Sequence, residues 1–285
     1  MSLRPFEQLL AEPSPEFLYH YTSALGLCGM IQSDSIWASK IQHLNDSTEL
    51  LLALRICEML LRNESHRQPN PWTKQLIEYA IETLKRIKLV NICICSFSEK
   101  NDLLSQWRGY CPQEGGYNIG IPGSHLTTTF GREKFTLIRC VYDDKTQNEL
   151  VQDTLDVALP ELFTIPVSSR SQMQIAAEPV IQRLHLMLME IAPIIKNPGF
   201  AEESEWRAVS GPIAIGHNRI KLRAQGNVIR PYYELPLDLR NINIHVTTGP
   251  CRYPDLARES CFMLIEKAGL QSFAVSGSVI PFRVI

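Results

Sequence analysis

No stretch of the 285-residue sequence approaches the roughly 18 uninterrupted apolar residues of a membrane span. The opening residues, MSLRPFEQLLAEPSPEF, lack the apolar core of a secretory signal, so the expectation is a soluble, cytoplasmic protein with no membrane contact. Neither G-x-G-x-x-G nor G-x-x-x-x-G-K-[ST] occurs, which removes the Rossmann and P-loop routes to a nucleotide. Eight cysteines are present, but there is no C-x-x-C and no zinc-like histidine spacing beside them. They read as reduced, mainly structural thiols, and no metal is expected. A strong charge of either sign is also missing. The formal net charge of −2 gives no global attraction to nucleic acid or to an anionic membrane, although a local basic cleft would not show in such a sum.

What is present is ordinary globular composition, 45% hydrophobic and 20% charged, with enough length for a sizeable core. Period-2 and β-branched stretches predict strands at Phe17–Tyr21, SIWASK, LVNICICSFS, GGYNIGI, KFTLIRCVYD, SEWRAVSG, VIRPYYEL, NINIHVTTG and SGSVIPFRVI. Helical periodicity appears at Leu25–Gln32, after LNDSTE, after the RQPNPW break, and over two later segments. In LNDSTE, Asp46 or Ser47 is the candidate cap and Glu49 a first-turn acid. The next helix carries Leu76, Ile77, Ala80, Ile81, Leu84 and Ile87 on one face, and the pair is expected to pack as a hairpin beside a sheet. A later segment carries Met173, Ala176, Ala177, Val180, Leu184, Met187, Leu188 and Ile191, and a helix over Pro254–Ala268 precedes the last strand. The fold class is α+β, a single domain over residues 1–285 with helical insertions at about 45–90 and 145–196.

Three local patterns carry possible chemistry. In EFLYHYTS, His20 stands between two tyrosines, so its imidazole is either a satisfied core group or faces a pocket. Ser96 and Ser98 flank Phe97 at the end of an apolar strand. In EESEWRAV, Glu203 and Glu205 stand two apart at the start of a predicted strand and therefore project to one side, an arrangement that suits solvent, a cation or developing positive charge. Its bland alternative is a solvated strand edge with Arg207 as neighbour. Trp107, Tyr110 and Tyr117 offer an aromatic wall, or simply core.

The ordered set LYHYTS, LNDSTE, CSFSE, QWRGY with GGYNIG, ESEWR and SGSVIPFR resembles the bacterial domain-of-unknown-function family 2971, over nearly the whole chain. A more distant likeness concerns mechanism. A first-strand histidine followed by a small polar residue and a short helix, a later S-x-S strand and a still later E-x-E resemble the motif order of NAD-dependent ADP-ribosyltransferases. That resemblance implies mixed, mainly antiparallel central sheets in an ADP-ribosyltransferase-like arrangement, with NAD as substrate and an acceptor that is protein or nucleic acid. It further implies catalytic roles for Glu205, Glu203 and His20, and NAD contacts from His20, Tyr21, Thr22, Ser96, Ser98, Trp107 and Tyr110. His20, Ser96 or Ser98, and Glu205 are then expected on one pocket, bordered by Trp37, Trp107 or Tyr110. The setting would be a toxin or anti-phage defence.

Two rivals come from other classes. A non-catalytic ligand-sensing or interaction module would use His20 and E-x-E only for binding or folding. A metal-dependent nuclease would draw on Glu203, Glu205, Arg207 and an upstream acid such as Asp46.

Overall fold

The structure, a computed structural model, describes residues 3–43, 49–86, 91–165, 169–214, 216–225 and 227–281. In chain order the first elements are α1 (Pro5–Leu10), β1 (Phe17–Thr22), α2 (Ala24–Ser33), β2 (Ser35–Lys40), α3 (Glu49–Arg67), α4 (Pro71–Arg86) and β3 (Cys93–Ser98). There follow α5 (Leu104–Tyr110), β4 (Tyr117–Pro122), α6 (Gly123–Arg132), β5 (Phe135–Arg139), α7 (Asp144–Phe163), α8 (Arg170–Ile191) and β6 (Glu205–Ser210). The chain closes through β7 (Ile220–Gln225), β8 (Val228–Pro236), β9 (Ile244–Thr248), α9 (Pro254–Lys267) and β10 (Phe273–Gly277).

These elements form two compact units, the first made of residues 1–11, 44–91 and 140–200, the second of 12–43, 92–139 and 201–285. The first unit is helical. Its α3 packs on α4 and α7, and α8 packs on α4 and α7. The cause is legible in the periodicity, since Leu76, Ile77, Ala80, Ile81 and Leu84 of α4 are all buried, as are Met173, Ala177, Val180, Leu184 and Leu188 of α8. Ala176, expected on that apolar face, is exposed instead, and Ile181 takes a buried place. Helix starts follow capping chemistry where it is described: Asp143 accepts from the Thr146 amide at 2.8 Å and Ser169 from that of Gln172 at 3.4 Å. The expected caps of α3, Asp46 and Ser47, and Ile87 of the α4 face lie outside the described residues. Among the described residues no helix is long and apolar enough to cross a membrane.

The second unit is built on a mixed, mostly antiparallel sheet. Its main path runs β10-β9-β4-β1-β3-β2-β8-β7, and only β10 and β9 are parallel. Strand β6 joins from the side, lying between β3 and β5. One face carries the core, in which Leu18, Phe97, Ile119, Phe130, Trp206 and Val246 are buried together.

The last strand differs from expectation. SGSVIPFRVI was expected to be extended, yet β10 ends at Gly277 and Ser278–Pro281 form no strand; residues 282–285 lie outside the described set. The reason is local competition: Asp102 captures the Ser278 hydroxyl at 2.6 Å and the Val279 amide at 2.9 Å, and Pro281 has no N–H to give a ladder. Three elements without a strong local signal, α1, α6 and β7, were not expected at all.

One topological detail positions everything that follows. Strand β3 gives one edge to β6 from Ile94 to Ser98, while its other edge is shared by two strands that part company. Strand β2 pairs with it only at Ile94 and Cys93, and β1 only at Ser98. Between those points the β3 edge opens into a wedge.

Candidate functional site

His20 stands at that wedge. Its Nδ1 lies 2.9 Å from the carbonyl oxygen of Ser96. A carbonyl can only accept, so Nδ1 carries the proton and the neutral ring keeps its Nε2 lone pair. Burial lowers the imidazole pKa below its ordinary value, against a smaller opposing effect of the Ser96 bond, so the neutral form is favoured. The ring also packs against Phe97, centroids 5.7 Å apart. His20 therefore does structural work, closing a polar gap in the sheet, and retains a nitrogen able to accept.

Register then links the other motif residues. Tyr19 pairs with Ser98, Ser98 with Glu205, and Ser96 with Arg207. Strand alternation puts Tyr19, Ser98, Ser96, Glu205 and Arg207 on one side, whereas His20 belongs to the side of Phe97 and Trp206. The three motif strands are thus neighbours, but His20 reaches the others through the Ser96 backbone at the wedge.

Glu205 and Glu203 do not share a strand. Strand β6 begins at Glu205; Glu203 ends a short 3-10 turn, and Ser204 between them adopts φ of 44°, which breaks the alternation expected of E-x-E. Nor is this a solvated edge. Both flanks of β6 are paired, all six of its residues are buried, and Glu203, Glu205 and Arg207 are 8%, 3% and 2% exposed. Arg207 meets Glu205 as a fork, Nε donating to Oε1 at 2.7 Å and Nη2 to Oε2 at 3.0 Å. Such a bidentate pair is the charge-assisted geometry that favours an ionised carboxylate.

The serines differ from each other. Ser98 is buried and serves as a tie: its hydroxyl donates to the Glu203 carbonyl at 2.6 Å and accepts from the Lys100 amide at 3.0 Å. A second tie beside it runs from the Glu99 amide to the Ser204 carbonyl, and Trp206 Nε1 donates to Glu99 at 2.7 Å. Ser96 is half-buried and its side chain shares the side of Arg207.

The aromatic residues are mostly framework. Tyr21 donates its hydroxyl to the Lys100 carbonyl at 2.6 Å and receives the Leu103 amide at 3.1 Å; burial drives its phenol strongly upward, so it stays neutral. Trp107 stacks edge-on against Tyr21 at 4.6 Å and donates to Asp102 at 2.7 Å. Thr22 packs its hydroxyl against Gly26, where a Cβ would come within 2.0 Å. Tyr110 is 42% exposed at the end of α5. Trp37 lies on β2 and belongs to a different cluster, described below.

A cleft of about 570 Å³ opens beside these ties, lined by Tyr19, Glu99, Lys100, Asn101, Asp102, Leu103, Glu202 and Ser204. It adjoins Ser98 through its Lys100 and Tyr19 walls. Tyr19 and Asp102 were not singled out in the sequence. For Tyr19 the signal available was its alternation with His20 in one strand; for Asp102, whose three partners come from α5 and the C-terminal strap, there was none. Among the described residues no group of three His, Cys, Asp or Glu is placed to hold a metal ion. None of the eight cysteines is in a disulfide, and burial pushes the thiols of Cys93 to about 11, Cys57 to about 12 and Cys261 to about 12, as expected of inert structural thiols.

Residues 106–208 match the model of a family described as "Protein of unknown function (DUF2971)". The match takes in QWRGY, GGYNIG and ESEWR, and leaves LYHYTS, LNDSTE, CSFSE and SGSVIPFR outside it. No curated protein and no solved structure matches the chain.

Proposed function

We propose that the chain is an ADP-ribosyltransferase-like enzyme that cleaves NAD at the nicotinamide–ribose bond and passes ADP-ribose to a protein or nucleic-acid acceptor. The observation that supports this reading is the adjacency of β1, β3 and β6, three strands far apart in sequence that carry His20, Ser96 with Ser98, and Glu205. Motif order alone did not require them to be neighbours.

Breaking the nicotinamide–ribose bond develops oxocarbenium character at the ribose carbon, and an ionised carboxylate nearby lowers that barrier. Glu205, in its charge-assisted fork with Arg207, is the carboxylate this reading sets against that developing charge. His20, whose side chain belongs to the other side of the sheet, contributes to this reading as a positioning residue, its Nδ1 holding the Ser96 carbonyl of the strand that pairs with the Glu205 strand. Ser98 fixes the turn bearing Glu203 on the acceptor side.

One observation favours a non-catalytic binding module instead: both Glu205 oxygens already serve Arg207 in a fully buried strand, as a fold-specifying pair would. The metal-dependent nuclease has no comparable support, and its Asp46 lies outside the described residues. The deciding assay is nicotinamide release from NAD, with candidate protein and nucleic-acid acceptors supplied. Wild type should release nicotinamide, and Glu205→Gln should lose about 30-fold or more, the range of ~2–4 kcal/mol for a lost transition-state electrostatic contact. Tm is measured on the same samples. No release by folded wild type, or full activity in Glu205→Gln, transfers the assignment to the binding module.

A further inference from the structure

The far end of the same sheet holds a cluster that the transferase reading does not use. In the β7–β8 hairpin, Arg223 and Arg230 are directly opposite each other. Like charges in that relation repel, so sequences ordinarily avoid them unless something compensates. Among the described residues neither arginine has a carboxylate partner, and the Nε of each is buried without an acceptor. Glu234, an acid on that side opposite Trp37, is engaged by Lys221 and by Ser35.

What surrounds the pair is aromatic. The Arg223 guanidinium lies 4.8 Å from the Trp37 ring centre and 6.0 Å from that of Tyr232, and the two rings stand 4.6 Å apart. Arg230 is braced by one bond, Nη1 to the His43 carbonyl at 2.9 Å. Trp37 remains 42% exposed. Register places Trp37, Tyr232, Arg230 and Arg223 on one side of β2, β8 and β7. Positive charge is reinforced nearby: Lys40 and Arg230 both help, after burial, to lower the pKa of His43.

We propose that this side of β2, β8 and β7 binds a nucleotide unit, its phosphate bridging Arg223 and Arg230 and its base lying against the exposed part of Trp37. A phosphate offers several acceptor oxygens to two planar donors and removes their repulsion, while a base supplies the flat partner for an exposed indole. A carboxylate ligand would satisfy the first requirement and leave the second unmet. The net charge of −2 concealed this patch because its two arginines are offset elsewhere. The nucleotide comes either free or as part of a single strand, and the site is independent of whether NAD is cleaved.

The test uses the full chain without NAD: fluorescence anisotropy of a short fluorescein-labelled single-stranded oligonucleotide of mixed sequence, with AMP and inorganic pyrophosphate as competitors. Arg223→Gln and Arg230→Gln should each weaken binding tenfold or more and reduce the slope of log K against log salt by about 0.7. Trp37→Ala should weaken it fivefold or more. The Tm of Arg223→Gln should be unchanged or higher, because a repulsion is removed, so lost binding is not lost folding. AMP displacing the probe as well as unlabelled strand, per nucleotide, assigns the site to free nucleotides; displacement by strand alone assigns it to single-stranded nucleic acid. Failure of wild type to bind either ligand, arginine variants that bind as wild type does, or pyrophosphate matching AMP with Trp37→Ala silent would each overturn the proposal.

Discussion

Arg207 grips Glu205 from two residues further along the same strand, and both side chains are almost wholly withdrawn from solvent. Residues i and i+2 of a strand project alike, so the pair needs no tertiary contact to meet, only the strand itself. Burial makes its partnership matter. Arg207→Met should lower stability by about 3–5 kcal/mol, since a carboxylate loses its guanidinium in a dry site. Joint replacement, Glu205→Leu with Arg207→Met, should recover much of that loss. Denaturant unfolding of wild type, the two single variants and the double variant checks it; additive losses would mean the pair does not act as a unit.

For His20 the expected behaviour is a pH effect with a defined sign. Its folded pKa lies below the unfolded reference of 6.5, so below that value the unfolded chain binds more protons and stability falls as pH drops toward the folded pKa. The slope is at most about 1.4 kcal/mol per pH unit. His20→Asn keeps an N–H for the Ser96 carbonyl but cannot titrate. Its Tm relative to wild type should therefore rise between pH 7.5 and 5.5, and a constant difference would show that His20 is not proton-linked to folding.

Asp102 ties α5 to the segment after β10 through Trp107, Ser278 and Val279. Asp102→Ala should cost on the order of 3 kcal/mol, less than the sum of three charge-assisted bonds because such losses are not additive. Amide exchange at Val279 should accelerate more than exchange in β4. Equal acceleration in both would point to global destabilisation rather than release of the strap.

Gly249 leaves no room for a methyl group, because a Cβ there would sit 2.8 Å from the Trp107 ring and 3.1 Å from the Gly116 carbonyl. Gly249→Ala should cost about 1–3 kcal/mol and shift Trp107 fluorescence. A second substitution, Trp107→Leu, should make the alanine nearly silent.

Much of this molecule follows from local pattern. Apolar periodicity in α4 and α8 predicted which faces are buried, and the apolar run ending in CSFS predicted a buried strand, because burial of one stripe or of both strand faces leaves its mark on consecutive residues. The E-x-E pattern misled for an equally local reason. Alternation holds only inside a strand, and the left-handed Ser204 ends it one residue before Glu205.

The sequence by itself determined most of the helical and extended segments, α1, α6, β7 and the end of β10 apart, together with the buried thiols and the pairing of Glu205 with Arg207, since each depends on neighbours within one element. Only tertiary structure decided that β1, β3 and β6 adjoin, that β1 and β2 part along β3 to leave the Ser96 carbonyl to His20, and that Arg223 faces Arg230 beneath Trp37. Strand order and register are set by which hydrophobic faces bury together across the whole chain, a sum over distant residues that no short window contains.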